Sequence, residues 1–152
     1  LRYADESLRD EKMEEALSVS QAKEFVDRMP NGVNEPIAQG GTNVSGGQKQ
    51  RLSIARALAK DAQVYIFDDT FSALDYATDA KLRAALAELI TKKHATVFIV
   101  AQRISSIMHA DKIIVLDQGK MAGIGTHEEL LKSCEVYQEI AHSQLSREEL
   151  GE

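Results

Sequence analysis

Three short apolar runs dominate the middle of the chain: Val64-Tyr65-Ile66-Phe67, Thr96-Val97-Phe98-Ile99-Val100, and the stretch from Lys112 to Leu116. Each is too short for an ordinary helix and rich in β-branched or aromatic side chains, which marks strands. Between the first two, Leu82, Ala85, Leu86, Leu89 and Ile90 recur at the spacing of an amphipathic helix. Another apolar face, Leu52, Ile54, Ala55, Leu58 and Ala59, lies within Gln48 to Lys60, just ahead of the first run. Strands alternating with helices predict an α/β domain with a largely parallel sheet, its first three strands buried on both faces.

The flanks read less sharply. Met13, Ala16 and Leu17, then Ala22, Phe25 and Val26, predict two short helices in the first thirty residues, closed by the stop at Met29-Pro30-Asn31-Gly32. Residues 31–48 are polar and glycine-rich, a loop long enough to suspect function. Ile104 to Met108 suggests a short helix. Lys120 to Gly125 suggests a strand after the Asp117-Gln118-Gly119 turn, and the tail from His127 reads as helical.

Composition narrows the class. With 152 residues, 43% hydrophobic and 28% charged, the chain has the make-up of one globular domain. Its net charge of -6 argues against a nucleic-acid-binding surface spread over the whole fold and leaves room only for a local basic patch. No apolar run approaches the length that crosses a bilayer. The single cysteine, Cys134, excludes an internal disulfide framework, and its helical, apolar neighbours point to packing. The chain opens at Leu1 in sequence that already reads as mid-domain, so a fragment of a larger protein is expected.

Two features carry chemistry. In Val44-Ser45-Gly46-Gly47-Gln48, paired glycines let a ligand approach the backbone and Ser45 stands at a helix N-cap position. The free N–H groups and positive end of the following helix make that loop an anion site suited to phosphate. An ordinary Ser-Gly-Gly helix entry would look the same in isolation. One helix later, the run ending in Asp68 has the form of a strand that sets a carboxylate beside a phosphate-bound Mg²⁺, directly or through water. Asp68, Asp69 and Gln102 all fall at carboxyl ends of strands, where such sheets bind ligands.

These elements, with Ser72-Ala73-Leu74-Asp75 and Gln102-Arg103 following in order, resemble the ABC ATPase family over essentially the whole chain. The resemblance implies a partial RecA-like core with a parallel sheet and an α-helical signature subdomain, the phosphate-loop portion missing. Residues 1–60 would hold the helical subdomain, X-loop and signature helix, 61–126 the Walker B, D-loop and switch region, and 127–152 the terminal helices. Val44 to Gln48 would be the signature, contacting ATP held by a partner domain. Asp68 would be the Walker B aspartate at Mg²⁺, and Ser72, Ala73, Leu74 and Asp75 the D-loop. The segment Glu35-Pro36-Ile37-Ala38-Gln39-Gly40-Gly41 resembles the exporter loop that touches the coupling helices of a transmembrane domain, with Glu35 and Gln39 as contacts. Gly125-Thr126-His127-Glu128-Glu129-Leu130 also fits the exporter branch. His127 follows the last strand, a position for a structural role.

Two positions depart from the family pattern. Asp69 stands where a glutamate normally polarises the attacking water, and Gln102 where a histidine normally meets the γ-phosphate. Aspartate is one methylene shorter, and a misplacement of about 1 Å can cost ~100-fold in rate. Glutamine can hydrogen-bond phosphate but can neither titrate nor carry charge. Together they imply a site that holds ATP but cleaves it poorly, beside an intact signature that serves a second, non-identical nucleotide-binding domain. The resemblance therefore implies ATP and Mg²⁺ as cofactors and a place at the cytoplasmic face of the cell membrane, as half of a heterodimeric multidrug exporter. With no phosphate loop, adenine-stacking aromatic or Q-loop in the chain, weak ATP binding and an incomplete, exposed sheet are expected. Two alternatives remain open at this point: a slowly hydrolysing homodimeric exporter, and a soluble ABC-type clamp, which the absence of sustained heptads disfavours.

Overall fold

A computed structural model describes Leu1 and residues 7–146, which form two compact units, Leu1–Val100 and Ala101–Glu152. The final residues of the expected helical tail, 147–152, lie outside the described part.

The first unit opens with α1 (Asp10–Val19) and α2 (Lys23–Asp27), broken at Ser20 and Gln21, where Gln21 has a φ of 57°. The polar loop that follows contains two single 3-10 turns, Gly32–Asn34 and Gln39–Gly41. Helix α3 (Gly46–Ala59) then leads into strand β1 (Val64–Asp68), and α4 (Tyr76–Lys93) into β2 (Thr96–Val100). The two strands pair in parallel, Val64 opposite Thr96 and Asp68 opposite Val100. A short parallel pair needs a covering helix layer to be stable. Here Met13, Ala16 and Leu17 of α1, Ile54, Ala55 and Leu58 of α3, and Leu82, Leu86 and Leu89 of α4 close one core around Tyr65 and Phe67. Leu82 and Ile54 are fully buried, each contributing roughly 1.5–3 kcal/mol of transfer free energy.

The second unit starts with a 3-10 turn, Ile104–Ser106, shorter than the expected helix. Strands β3 (Ile113–Asp117) and β4 (Lys120–Gly125) form an antiparallel hairpin, and α5 (His127–Ser133) and α6 (Glu135–Gln144) follow. Ile104, Ile113, Val115, Leu130, Cys134, Tyr137 and Ala141 make its core, so Cys134 serves packing.

The sheet differs from the sequence-based expectation in two respects. Its third strand, β3, is not part of the parallel pair but is bonded to β4 in a separate sheet. The cause is the turn at Asp117-Gln118-Gly119, where Gln118 and Gly119 have φ of 47° and 76°. Positive φ at both central residues matches the twist of a tight hairpin and folds β4 straight back. Nor are the strands buried on both faces: Tyr65 and Phe67 are covered, while Val64, Ile66, Phe98 and Val100 of the opposite face are exposed. Only one face of the pair carries helices among the described residues, which agrees with the expected incomplete sheet.

Candidate functional site

The glycine-rich segment enters α3 through a complete capping box. The Gln48 N–H donates to Ser45 Oγ at 3.2 Å, and the Ser45 N–H donates to Gln48 Oε1 at 2.9 Å. Reciprocal bonding of this kind satisfies two of the orphan donors at a helix start. Among the described residues, the Gly46 and Gly47 N–H groups keep no acceptor, and Ser45 and Gly46 are exposed. The Ser45 hydroxyl proton stays available, because its oxygen is used only as an acceptor. The result is a helix N-terminus of 14 residues whose first turn offers two N–H groups and one O–H to an anion. Gln48, grouped with the signature residues, uses its Oε1 and its backbone N–H in the cap.

Asp68 ends β1, and a tight turn carries the chain to α4. Asp69 sits in the left-handed region with a φ of 47°, a conformation aspartate tolerates better than most residues. Its N–H donates to Val100 O at 3.0 Å, which ties the turn to the end of β2. The Ser72 hydroxyl lies 3.0 Å from Asp69 O and 3.2 Å from its Oδ2. Asp69 is therefore held toward its own turn, whereas the exposed Asp68 carboxylate has no side-chain partner among the described residues.

Buried anchors hold this turn in place. Phe71 packs edge-to-face on Phe67 with centroids 5.6 Å apart, and the Arg83 guanidinium lies 4.4 Å over the Phe71 ring. Leu74 is buried, while Ser72 and Ala73 stay on the surface. Asp75 caps α4: its Oδ1 accepts the Thr78 N–H at 2.9 Å and its Oδ2 the Thr78 hydroxyl at 2.7 Å. The backbone bond from Thr78, then the hydroxyl, hold the Asp75 carboxyl below its ordinary value.

The loop with Glu35 and Gln39 is exposed but ordered by polar contacts. Glu35 Oε2 accepts from the Asn31 N–H at 3.0 Å and from its Nδ2 at 2.9 Å. Asn43 bridges the loop, accepting from the Ala38 N–H at 3.0 Å and donating to Pro36 O at 3.0 Å. Lys49 Nζ donates to Gly40 O at 2.8 Å, so the loop is fastened to α3.

Gln102 belongs to the second unit and has an exposed side chain. Gln144 of α6 fixes its backbone, donating to Gln102 O at 2.9 Å while accepting from the Ile104 N–H at 2.8 Å. His127 has the structural setting expected from its position, with Nδ1 2.8 Å from the hydroxyl of the buried Tyr137.

Sequence reasoning missed the residues that join these parts. Gln50 reaches from α3 to the Asp69–Ala73 turn, and Arg51 ties α3 to the break between α1 and α2 by donating from Nη1 to Gln21 O at 2.8 Å. Asn43 and Gln144 were also passed over. Their only signal was a polar residue without an evident partner nearby in sequence.

The residues present fit pieces of a nucleotide site. The Ser45–Gly47 backbone suits a phosphate, and Asp68 supplies one free carboxylate. Among the described residues there is no group of three or more His, Cys, Asp and Glu that could hold a metal ion. A Mg²⁺ here would take most of its ligands from phosphate and water, as this ion commonly does.

A helix entered through a Ser-Gly-Gly cap, followed by a parallel strand that ends in a carboxylate, is the arrangement of the ABC ATPase α/β fold. A sequence model of the ABC transporter family matches residues 3–72. An uncharacterised ABC transporter ATP-binding protein of Mycobacterium tuberculosis is 48% identical over 147 residues, 95% of this chain and 25% of that protein. An ATP-dependent lipid A-core flippase of Albidiferax ferrireducens is 45% identical over 129 residues, 85% of this chain and 22% of that protein. The solved structure of a bacterial Atm1-family ABC exporter with ATP bound superposes with a TM-score of 0.89 at 32% identity, covering 96% of this chain and 25% of that one. The chain belongs to the ABC transporter ATP-binding family. It spans about a quarter of the length of these relatives. Among the described residues no helix is long and apolar enough to cross a membrane.

Proposed function

We propose that this chain is part of the ATP-binding domain of a membrane exporter, pairing with a second, non-identical domain around ATP and Mg²⁺. Its own site holds nucleotide with little hydrolysis, while Ser45, Gly46 and Gly47 serve the ATP bound by the partner. The observation that carries this reading is the contrast between two neighbouring loops. Ser45 presents a hydroxyl proton and free N–H groups outward, whereas Asp69 is short, left-handed and engaged by Ser72. Phosphoryl transfer depends on placed groups and charge stabilisation, and an acidic side chain turned to its own loop supplies neither.

Export is proposed from the likeness to an Atm1-family exporter and to lipid A-core flippases. In that setting the ordered loop carrying Glu35 and Gln39 meets the coupling helices of a transmembrane domain, at the cytoplasmic face of the cell membrane. Asp68 contributes the protein's carboxylate to Mg²⁺. Gln102 binds the γ-phosphate of the chain's own site by hydrogen bonding alone. Residues 1–60, 61–126 and 127–152 are assigned to the helical subdomain, the catalytic core portion and the terminal helices. No nucleic acid is involved.

The test is ATP hydrolysis by the full-length protein assembled with its partner. Ser45→Ala is expected to abolish turnover and Asp69→Asn to change it little; the reverse pattern overturns the reading. Occlusion of one nucleotide per assembly during turnover supports non-identical sites, and two equivalent nucleotides overturn that part in favour of a homodimer.

A further inference from the structure

One side chain physically joins the two loops that the proposed function assigns to different ATP sites. Gln50 lies on α3, two residues beyond Gln48 of the capping box, and its amide grips the turn after β1. Its Oε1 accepts the Ala73 N–H at 3.0 Å, and its Nε2 lies 3.2 Å from Ser72 Oγ and 3.5 Å from Asp69 O. The bond from Ala73 N–H fixes which end of the amide faces which way. Gly47, on the same helix, approaches Ala73 O so closely that an added Cβ would stand 3.2 Å from it. Backbone approach and side-chain clamp therefore fall on one short segment.

The segment they grip is built on a left-handed residue. Asp69 at a φ of 47° keeps its conformation through Val100 O, Ser72 and Gln50. A residue in that region costs free energy unless its surroundings over-determine it. Removing the clamp frees the turn to relax away from the α3 N-terminus without disturbing Phe71 and Leu74, which anchor it from below. Asp68 and Asp69 on one side, and Ser45 to Gly47 on the other, would then lose their fixed relation.

We infer that Gln50 is a positioning residue for ATP turnover, locking the Asp69–Ala73 turn to the Ser45–Gly47 helix start so that movement at one nucleotide is felt at the other. This inference rests on the proposed function. It concerns geometry in the turnover state, so ATP binding itself is expected to survive loss of the clamp.

The experiment compares Gln50→Met, which keeps the side chain's length but no amide, with Gln50→Glu and with Ser45→Ala, all in the full-length assembled ATPase. Gln50→Met is expected to lower kcat by about 10–100-fold, the range set by sub-ångström to ångström misplacement. Its KM for ATP and its Tm should stay near the unsubstituted protein's. Gln50→Glu keeps an oxygen for the Ala73 N–H and should recover part of the loss. An unchanged kcat in Gln50→Met overturns the inference, as does a loss that follows a raised KM or a lowered Tm. If Ser45→Ala is inactive while Gln50→Met is normal, the functional reading stands and only the inference falls. If both turn over normally, the functional reading falls and takes the inference with it.

Discussion

Gly47 and Ala73 approach each other closely enough that a methyl group on Gly47 would meet the Ala73 carbonyl oxygen at 3.2 Å. Its neighbour Gly46 faces open space, with nothing within 4 Å of an added Cβ. The two glycines therefore answer to different demands. Both are in the first turn of α3 and neither has a positive φ. Replacing helical glycine by alanine normally stabilises by roughly 0.4–1 kcal/mol through the unfolded chain. Gly46→Ala is expected to gain that amount while placing a methyl where the proposed phosphate would approach. Gly47→Ala should gain nothing, because the Ala73 turn must shift by a few tenths of an ångström. Thermal unfolding of the two variants checks the difference: a higher Tm for Gly46→Ala only. Equal stabilisation by both would show that the contact with Ala73 yields without cost.

The capping box makes Ser45 important to stability as well as to the proposed chemistry, and a charged replacement separates the two. Ser45→Ala removes the acceptor of the Gln48 N–H and is expected to cost about 0.5–2 kcal/mol. Aspartate is an equally good N-cap, and its charge suits the helix start. Ser45→Asp should therefore keep the stability measured by denaturant unfolding. It should nevertheless lose ATP turnover, since a carboxylate facing a phosphate repels it. Retained turnover in Ser45→Asp would exclude a phosphate contact at this hydroxyl.

Much of the local structure is legible in the sequence. The β-branched run at Thr96–Val100 became β2 with the same bounds, and the strand expected at Lys120–Gly125 is β4. The Ser45 cap was legible because capping is a local rule, decided within four residues. Pairing was not legible in the same way. The run at β3 suits a parallel interior strand and a hairpin strand equally well, and periodicity alone does not choose between them. Gln50 was invisible for a related reason: its bonds span 19 to 23 residues and exist only once α3 lies against the turn after β1. The bond that Gln48 makes in the cap depends likewise on a rotamer that the sequence does not state.

An ion-pair cluster sets an acid limit on the first unit. Asp61, just after α3, accepts from Lys12 of α1 at 2.8 Å and is also bonded to Lys93 of α4. The hydrogen bonds from Lys12, then Lys93, lower its pKa from 3.8 to about 2. A depressed carboxylate pKa means stability that is fully present above the unfolded value and is lost as pH falls through the folded one. The contribution should therefore fade between about pH 4 and pH 2. Asp61 is 45% exposed, so solvent screening limits the contribution to under about 1 kcal/mol at neutral pH. Asp61→Asn should lower stability by that small amount at pH 7 and by much less near pH 2. A difference between the two proteins that persists unchanged at pH 2 would rule out the ion pairs as its source.

In the second unit, α5 and the residue that follows it crowd β4 at Gly123. A Cβ there would stand 2.9 Å from Cys134 Sγ, 3.0 Å from Leu130 Cδ2 and 3.2 Å from Cys134 Cβ. Real side chains do not approach so closely, so helix or strand must move. Both neighbours are buried, Leu130 at 1% and Cys134 at 5% exposure, and the core has no room to take up the shift. Gly123→Ala is expected to destabilise by about 1–3 kcal/mol, the usual cost of overpacking. Cys134→Ala removes the nearest atom, so it should cost little beside Gly123→Ala and recover part of the loss. The double-mutant cycle then has a favourable coupling, as residues in direct contact commonly do. Strict additivity of the two changes in denaturant unfolding would mean that Leu130, not Cys134, sets the spacing between β4 and α5.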